Sequence, residues 1–291
     1  MTAETDALLL ERVEHLEERW KSLEAAPRLE DCYFEKASAM LERLRTFCKE
    51  GEENLEPSTF LQLYTQTILD ITYFEENKLV DDEFPEESSL DKVNDLISLL
   101  SEPEILIKEL VNHREEPTTL SPELMECLYW RKGALLYMYC HTIRQNEERI
   151  GESGVILDKL LIDGINYLRT MLKVKCPVKL KDGVSCQDLN TARLLSQGVF
   201  SDTHLLAMMY AGEMCYWRLK LPVEEEKQEH HVSDVETHSE QGDSLRSNTL
   251  DFREVGQKML LKYISVCEGP LKEQGWSTEN AKQMLDFFKT C

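Results

Sequence analysis

Apolar side chains in this chain recur in steps of three and four residues almost from end to end. That spacing puts them on one face of a helix and on no face of a strand. Leu9, Val13, Leu16, Trp20 and Leu23 form the first such run, and Tyr33, Ala37, Met40, Leu44 and Phe47 repeat it after Pro27. Two runs joined by a short proline turn read as an antiparallel helical hairpin. Each covers only about two heptads, too short for a coiled coil. No strand ladder and no fixed repeat period appear. The expected fold class is all-α: an irregular helical bundle or a short α-solenoid of antiparallel helix pairs.

Helix-opening residues punctuate the rest. Pro57, favoured in a first turn, starts a helix carrying Leu61, Tyr64, Ile68 and Ile71. Shorter helices follow over 88–100 and after Ser101 and Pro103. Ser121, Pro122 and Glu123 open ELMECLYWRKGALLYMYCHTI, apolar on nearly every face and therefore central. The next helix covers about 155–173, and its Gly164 would admit a close neighbour. KCPVKLKDGVS (175–185) is the one stretch with turn chemistry, and Ser185 with Asp188 resembles a capping box opening 186–196. Ser201 starts another helix that is apolar all round. Residues 221–249 are acidic and nearly lack large apolar side chains, so a disordered linker is expected. Asp251 and Ser277 then cap two last helices. The expected organisation is a helical domain over 1–220, the linker over 221–249, and helices of 250–291 packing back on the domain.

Charge narrows the function. The 291 residues hold 33 Lys+Arg against 55 Asp+Glu, a net charge of −22. Nucleic-acid binding relies on Lys and Arg displacing counterions from phosphate, so no nucleic-acid partner is expected. Anionic lipid surfaces likewise repel such a chain. The longest apolar run, Ala134–Cys140, is far below the roughly 18–20 residues that span a bilayer, so no direct membrane insertion is expected. Residues 1–26 carry seven carboxylates where a signal peptide has a basic start and an apolar run. Nine cysteines without a CxxC pair then read as reduced thiols in the cytosol.

No sequence pattern for catalysis stands out. GxxxxGK[ST], GxGxxG after a strand, HExxH and GxSxG are all missing, so the expectation is no enzyme and no cofactor. His230, His231, Asp234 and His238 have metal-like spacing but lie in the linker, where no fixed geometry is expected. Trp130 beside Arg131 combines two types common in binding hot spots, although a core tryptophan fits the central helix better. DFREV (251–255) loosely matches segments that bind autophagy receptors by strand addition, while Phe252 and Val255 also fit the inner face of a helix. The segment that most invites a partner is 60–87. Its apolar run ends at Tyr73 and Phe74, and an acidic stretch with the lone aromatic Phe84 follows. A ring among carboxylates docks either on its own core or on a basic partner. The first reading is an acidic interhelical loop pinned by Phe84. The second makes Tyr73, Phe74, Glu75, Glu76, Asp81, Asp82 and Phe84 part of a partner surface.

Five blocks carry a resemblance: LYTQTILDITYFEENKLVDDEFPEESS, LSEPEILIKE, ECLYWRKGALLYMYCHTI, LLSQGVFSDTHLLAMMYAGEMCYW and LDFREVGQKMLLKYISVCEGPLKEQGWSTENAKQ. In this order they resemble the family of the Rab-seven-interacting subunit of the Mon–Ccz complex, over about 60–220 and 250–291. The first 55 residues share only the helical pattern. The resemblance implies a cytosolic adaptor without enzymatic activity. It would bind the GDP-loaded late-endosomal small GTPase Rab-seven and the Mon–Ccz exchange complex, and serve the clearance of damaged mitochondria. Two other readings stay open: a direct exchange catalyst, and a peptide-binding helical scaffold with a groove lined by Tyr129, Tyr137, Tyr139 and Trp217.

Overall fold

The structure is a computed structural model that describes residues 3–24, 32–50, 57–85, 88–112, 119–145, 147–178, 189–221 and 250–290. These form eleven helices and no strand. They are α1 (Ala3–Glu24), α2 (Cys32–Glu50), α3 (Pro57–Asp81), α4 (Ser89–Leu99), α5 (Glu102–Asn112), α6 (Pro122–Gln145), α7 (Glu147–Val174), α8 (Leu189–Ser196), α9 (Asp202–Lys220), α10 (Phe252–Cys267) and α11 (Glu279–Thr290). The chain is all-α. The Pro27 turn, the 185–188 capping box, and the segment with His230, His231, Asp234 and His238 lie outside the described residues.

Two boundaries depart from the sequence reading. α3 runs through Asp81 instead of ending near Phe74, so most of the acidic stretch is helical. The reason is that Thr72, Glu76 and Leu79 continue its buried face. α7 begins at Glu147, about two turns before the expected start. Asp251 caps α10 as expected, its carboxylate accepting from the backbone N–H of Arg253 and Glu254. At α11 the cap falls on Thr278, whose carbonyl accepts from Lys282 N–H. The Ser277 carbonyl instead accepts the Tyr263 hydroxyl.

Two hydrophobic cores share the molecule. The first takes Leu9, Val13, Leu16 and Trp20 of α1, Ala37, Leu41 and Leu44 of α2, and Phe60, Tyr64 and Ile68 of α3, with α5 and Leu128 of α6. The second takes Leu135, Leu136 and Tyr139 of α6, Leu161 and Leu168 of α7, Met208 and Met214 of α9, Leu260 of α10 and Phe288 of α11. Close approach at glycine builds the second. The space where Gly164 would carry a side chain is filled by the Met214 thioether, and Phe288 comes within 2.5 Å of a side-chain position on Gly256. Residues 250–290 thus pack on α9 as part of the second core.

Charge marks the changeover between the cores on α6 and α3, while α4 crosses it with Val93 and Leu96 in the second core and Leu99 in the first. On α6, Arg131 and Lys132 lie between Leu128 and Leu135; on α3, Glu76 lies between Ile71 and Leu79. The Lys132 ammonium is fully buried, paired with Glu104 at 2.5 Å and held 4.7 and 4.8 Å from the Tyr129 and Tyr167 rings. Burial pulls its pKa down, against the pull of Glu104. Glu104 also accepts the Tyr129 hydroxyl. Buried ions are retained only with such partners.

His204 opens α9 at 1% exposure. Its Nδ1 lies 2.9 Å from the Ser201 hydroxyl and its Nε2 is 3.6 Å from Glu126, which also pairs with Lys175. Burial pulls its pKa below the ordinary 6.5; Glu126 opposes this, while Lys175 and Lys262 reinforce it. The unfolded chain therefore holds the extra proton at pH values just below 6.5. The contribution is fully present above that pH and is lost as pH falls through it toward the folded pKa. In urea unfolding between pH 7 and 5, wild type should lose stability with a slope of at most about 1.4 kcal/mol per pH unit from this group. His204→Gln should flatten that slope; an unchanged slope would contradict the assignment.

Candidate partner interface

α3 ends in a left-handed turn that decides where the seven singled-out residues go. The Phe84 N–H donates to Leu79 O and the Glu83 N–H to Val80 O, at 2.9 and 3.0 Å. This is the double bond pattern that closes a helix end. Glu83 sits at φ 52° and Phe84 at φ 50°, where glycine is the usual choice. The accompanying apolar contact is supplied by Phe84 and Leu79, which enter the second core together. Phe84 is 2% exposed, with its ring edge-on to Tyr139 at 5.5 Å.

The rings and carboxylates then divide by helical phase. Phe74 packs on the first core, 6.1 Å from the Trp20 ring. Glu75 receives two hydrogen bonds from Arg19 of α1, at 2.6 and 2.8 Å, and Arg19 also reaches Asp95 of α4 at 2.6 Å. Glu76 is 8% exposed and accepts Nε and Nη2 of Arg131, both at 2.7 Å. Burial pushes its carboxyl pKa up despite that guanidinium. Arg131 further donates to Leu69 O at 2.8 Å and the Thr72 hydroxyl at 3.0 Å. Four of the seven residues, Phe74, Glu75, Glu76 and Phe84, are thus engaged within the fold. Of the two readings of the aromatic pair, docking on its own core is what both rings do.

Three residues remain outward. Tyr73 is 37% exposed, with the Arg131 guanidinium 5.7 Å from its ring centre. Tyr73, Asn77 and Asp81 follow at intervals of four, forming an exposed stripe along α3, and Asp82 continues it. The carboxylates of Asp81 and Asp82 make no hydrogen bond or ion pair among the described residues. The aligned acidic edge is small, polar and anchored from behind by Arg131 and Arg19. It can offer charge and one phenol ring to a partner; no group of His, Cys, Asp and Glu among the described residues could hold a metal.

Other singled-out residues separate as well. Tyr129 lies against Tyr167 and Tyr139 against Phe84, so neither joins Tyr137 and Trp217 in a groove. Phe252 and Val255 stand in the first turn of α10, with the Arg218 guanidinium 3.9 Å above the Phe252 ring. The sequence did not single out the anchors Arg19 and Glu104, and it marked Arg131 as a hot-spot candidate and not as the partner of Glu76. A cation next to Trp130 in an otherwise apolar helix was the available signal.

Curated relatives align with nearly all of the chain. Residues 33–289 match the family described as RAB7A-interacting MON1-CCZ1 complex subunit 1. The chain belongs to this family. The protein of that description from Homo sapiens is 54% identical over 268 residues, 92% of this chain and 90% of its own length. The Mus musculus protein is 56% identical over 266 residues, covering 89% and 88%. The Danio rerio protein is 46% identical over 260 residues, covering 89% of each. No solved structure matches. The family match starts at residue 33, so it includes α2, where the sequence blocks showed only a helical pattern. Relatives in this family are named as complex subunits, in keeping with an adaptor. No helix among the described residues is long and apolar enough to cross a membrane.

Proposed function

We propose that this protein is a non-enzymatic adaptor that binds the small GTPase RAB7A and the MON1-CCZ1 complex. Membership of a family described by those two interactions, over residues 33–289, carries the reading. The GTPase is bound in its GDP-loaded form, and the adaptor supports its stability and recruitment in the removal of damaged mitochondria. It works from the cytosol and reaches mitochondria or late endosomes through its partners. The acidic edge of α3, with Tyr73, Asp81 and Asp82 outward, is the part of the seven-residue surface that meets a basic patch on one partner. Phe74, Glu75, Glu76 and Phe84 hold that edge in place. Its carboxylates speed encounter more than they tighten the final complex.

The test is surface plasmon resonance of the purified chain against GDP- and GTP-analogue-loaded RAB7A and against MON1-CCZ1. Wild type should bind both partners and prefer the GDP form. Tyr73→Ala with Asp81→Lys and Asp82→Lys should slow association with one partner about tenfold at low salt. The same variant should keep its folding stability within about 0.5 kcal/mol. Equal binding of both partners by variant and wild type would remove the acidic edge. Failure of wild type to bind either partner would remove the adaptor reading. In a fluorescent-GDP release assay the chain alone should not accelerate release; acceleration would favour the exchange-catalyst alternative.

A further inference from the structure

A second face of α6 carries a stack of aromatic rings shared with α9. Trp130 lies 5.9 Å from Tyr210 at 16°, Tyr210 lies 3.7 Å from Tyr137 at 6°, and Tyr137 lies 5.2 Å from Trp217 at 18°. Four nearly parallel rings thus bridge two helices that run in the same direction. Trp130, Tyr137 and Tyr210 are half-buried, and the exposed His141 flanks the row, 5.7 Å from Trp217. The Tyr137 hydroxyl donates to Glu213 at 2.9 Å, fixing the middle of the row. Trp217 is buried at 4% exposure, whereas Trp130, Tyr137 and Tyr210 keep part of their surface open, where Tyr and Trp concentrate binding energy.

The row ends on a cation. The Arg144 guanidinium lies 4.8 Å from the Trp217 ring centre and makes no hydrogen bond or ion pair among the described residues. Arg12, Arg19, Arg131 and Arg218, which are similarly covered, each meet a carboxylate within 4.0 Å. Glu213 is taken by Tyr137 and attracts Arg144 only from a distance. Burial pulls the Arg144 pKa down, against the pull of the Glu213 carboxylate. In a chain of net charge −22 an unanswered guanidinium at the end of a half-buried aromatic row is a feature suited to an anionic group.

We propose that the Trp130–Tyr210–Tyr137–Trp217 row and Arg144 form a docking face for a partner protein's segment that places a carboxylate next to a large apolar side chain. The carboxylate takes the open guanidinium donors, and the apolar side chain lies along the ring edges. The occupant is set by charge: the site supplies one cation and aromatic surface, the complement of an acidic-apolar segment. This face is separate from the acidic edge of α3, which would take a basic partner, and its test is independent of that reading.

The probe is a displayed library of short random peptides panned against the full-length chain. Enriched peptides should combine Asp or Glu with a neighbouring aromatic or large aliphatic residue. Synthetic copies should bind wild type, lose about tenfold or more in affinity on Arg144→Gln, and keep part of it on Arg144→Lys, which restores charge without the planar stack. Tyr137→Leu should also weaken them, while the Asp81→Lys, Asp82→Lys variant should bind them as wild type does. Thermal melts confirm that each variant is folded; because Arg144 is half-exposed and unpaired, Arg144→Gln should stay folded. Enrichment of peptides without an acidic residue, no enrichment, or equal binding to Arg144→Gln would each overturn the proposal. So would a sedimentation profile showing a wild-type dimer that Arg144→Gln dissolves, because the face would then belong to a second copy of this chain.

Discussion

Replacing Arg131 by alanine is expected to lower folding stability by about 3–5 kcal/mol, the range for removing one partner of a buried ion pair. Three acceptors each lose a donor at once: the Glu76 carboxylate, the Leu69 carbonyl and the Thr72 hydroxyl. Glu76 is left buried without a counter-charge, and its pKa, already raised by burial, should rise further. The uncompensated carboxylate then favours its protonated form, so the damage should shrink at low pH. Arg131→Met combined with Glu76→Leu should recover most of the loss, because neither charge is then stranded. Guanidinium chloride unfolding of the single and double variants decides the matter. A single variant within about 1 kcal/mol of wild type would show that the pair does not hold α3 to α6.

Phe84→Ala should cost about 3–5 kcal/mol, the usual range for removing a buried phenylalanine ring. The ring does two jobs at once. It fills the second core against Tyr139, and with Leu79 it makes the apolar contact that closes the left-handed end of α3. Glu83 and Phe84 hold positive φ without glycine's freedom, so that turn depends on the contact beyond it. Phe84→Leu, which keeps apolar bulk, should lose roughly half as much. Urea midpoints measure both. Once affinities are corrected for the unfolded fraction, Phe84→Ala should still bind both partners, with only a modest slowing toward the one that meets the acidic edge it braces. A stable Phe84→Ala protein with lost binding would instead return the ring to the partner surface.

The fold was legible wherever one local rule decided the outcome. The spacing of Leu9, Val13, Leu16 and Trp20 gave the buried face of α1 directly. Asp251 announced the start of α10 because a cap is a bond between near neighbours. The close approach at Gly164 was also visible, because only a missing side chain makes room there. The end of α3 was less legible. Glu76 looks like a solvated residue until Arg131, 55 positions away, neutralises it, and no local period reveals that partner. The same holds for the division into two cores. Lys132 breaks an apolar helix in the sequence, but that it divides two packed regions depends on Glu104, Tyr129 and Tyr167 meeting it. For the candidate surface, the sequence singled out a segment but not which of its side chains face outward. Helical phase from Tyr73 to Asp81 settles that only once the helix is known to continue.

α6 takes part in both cores, and its 24 residues span about 36 Å. Trp130 and Arg131 are adjacent on it, so their side chains leave the axis about 100° apart. One looks along the ring stack and the other braces the negative edge of α3. Two visitors approaching from these directions would meet different sides of the same beam, leaving room for simultaneous occupancy. The protein could then act as a jig that fixes the angle and separation between two bodies, its stiffness counting for more than its affinity for either.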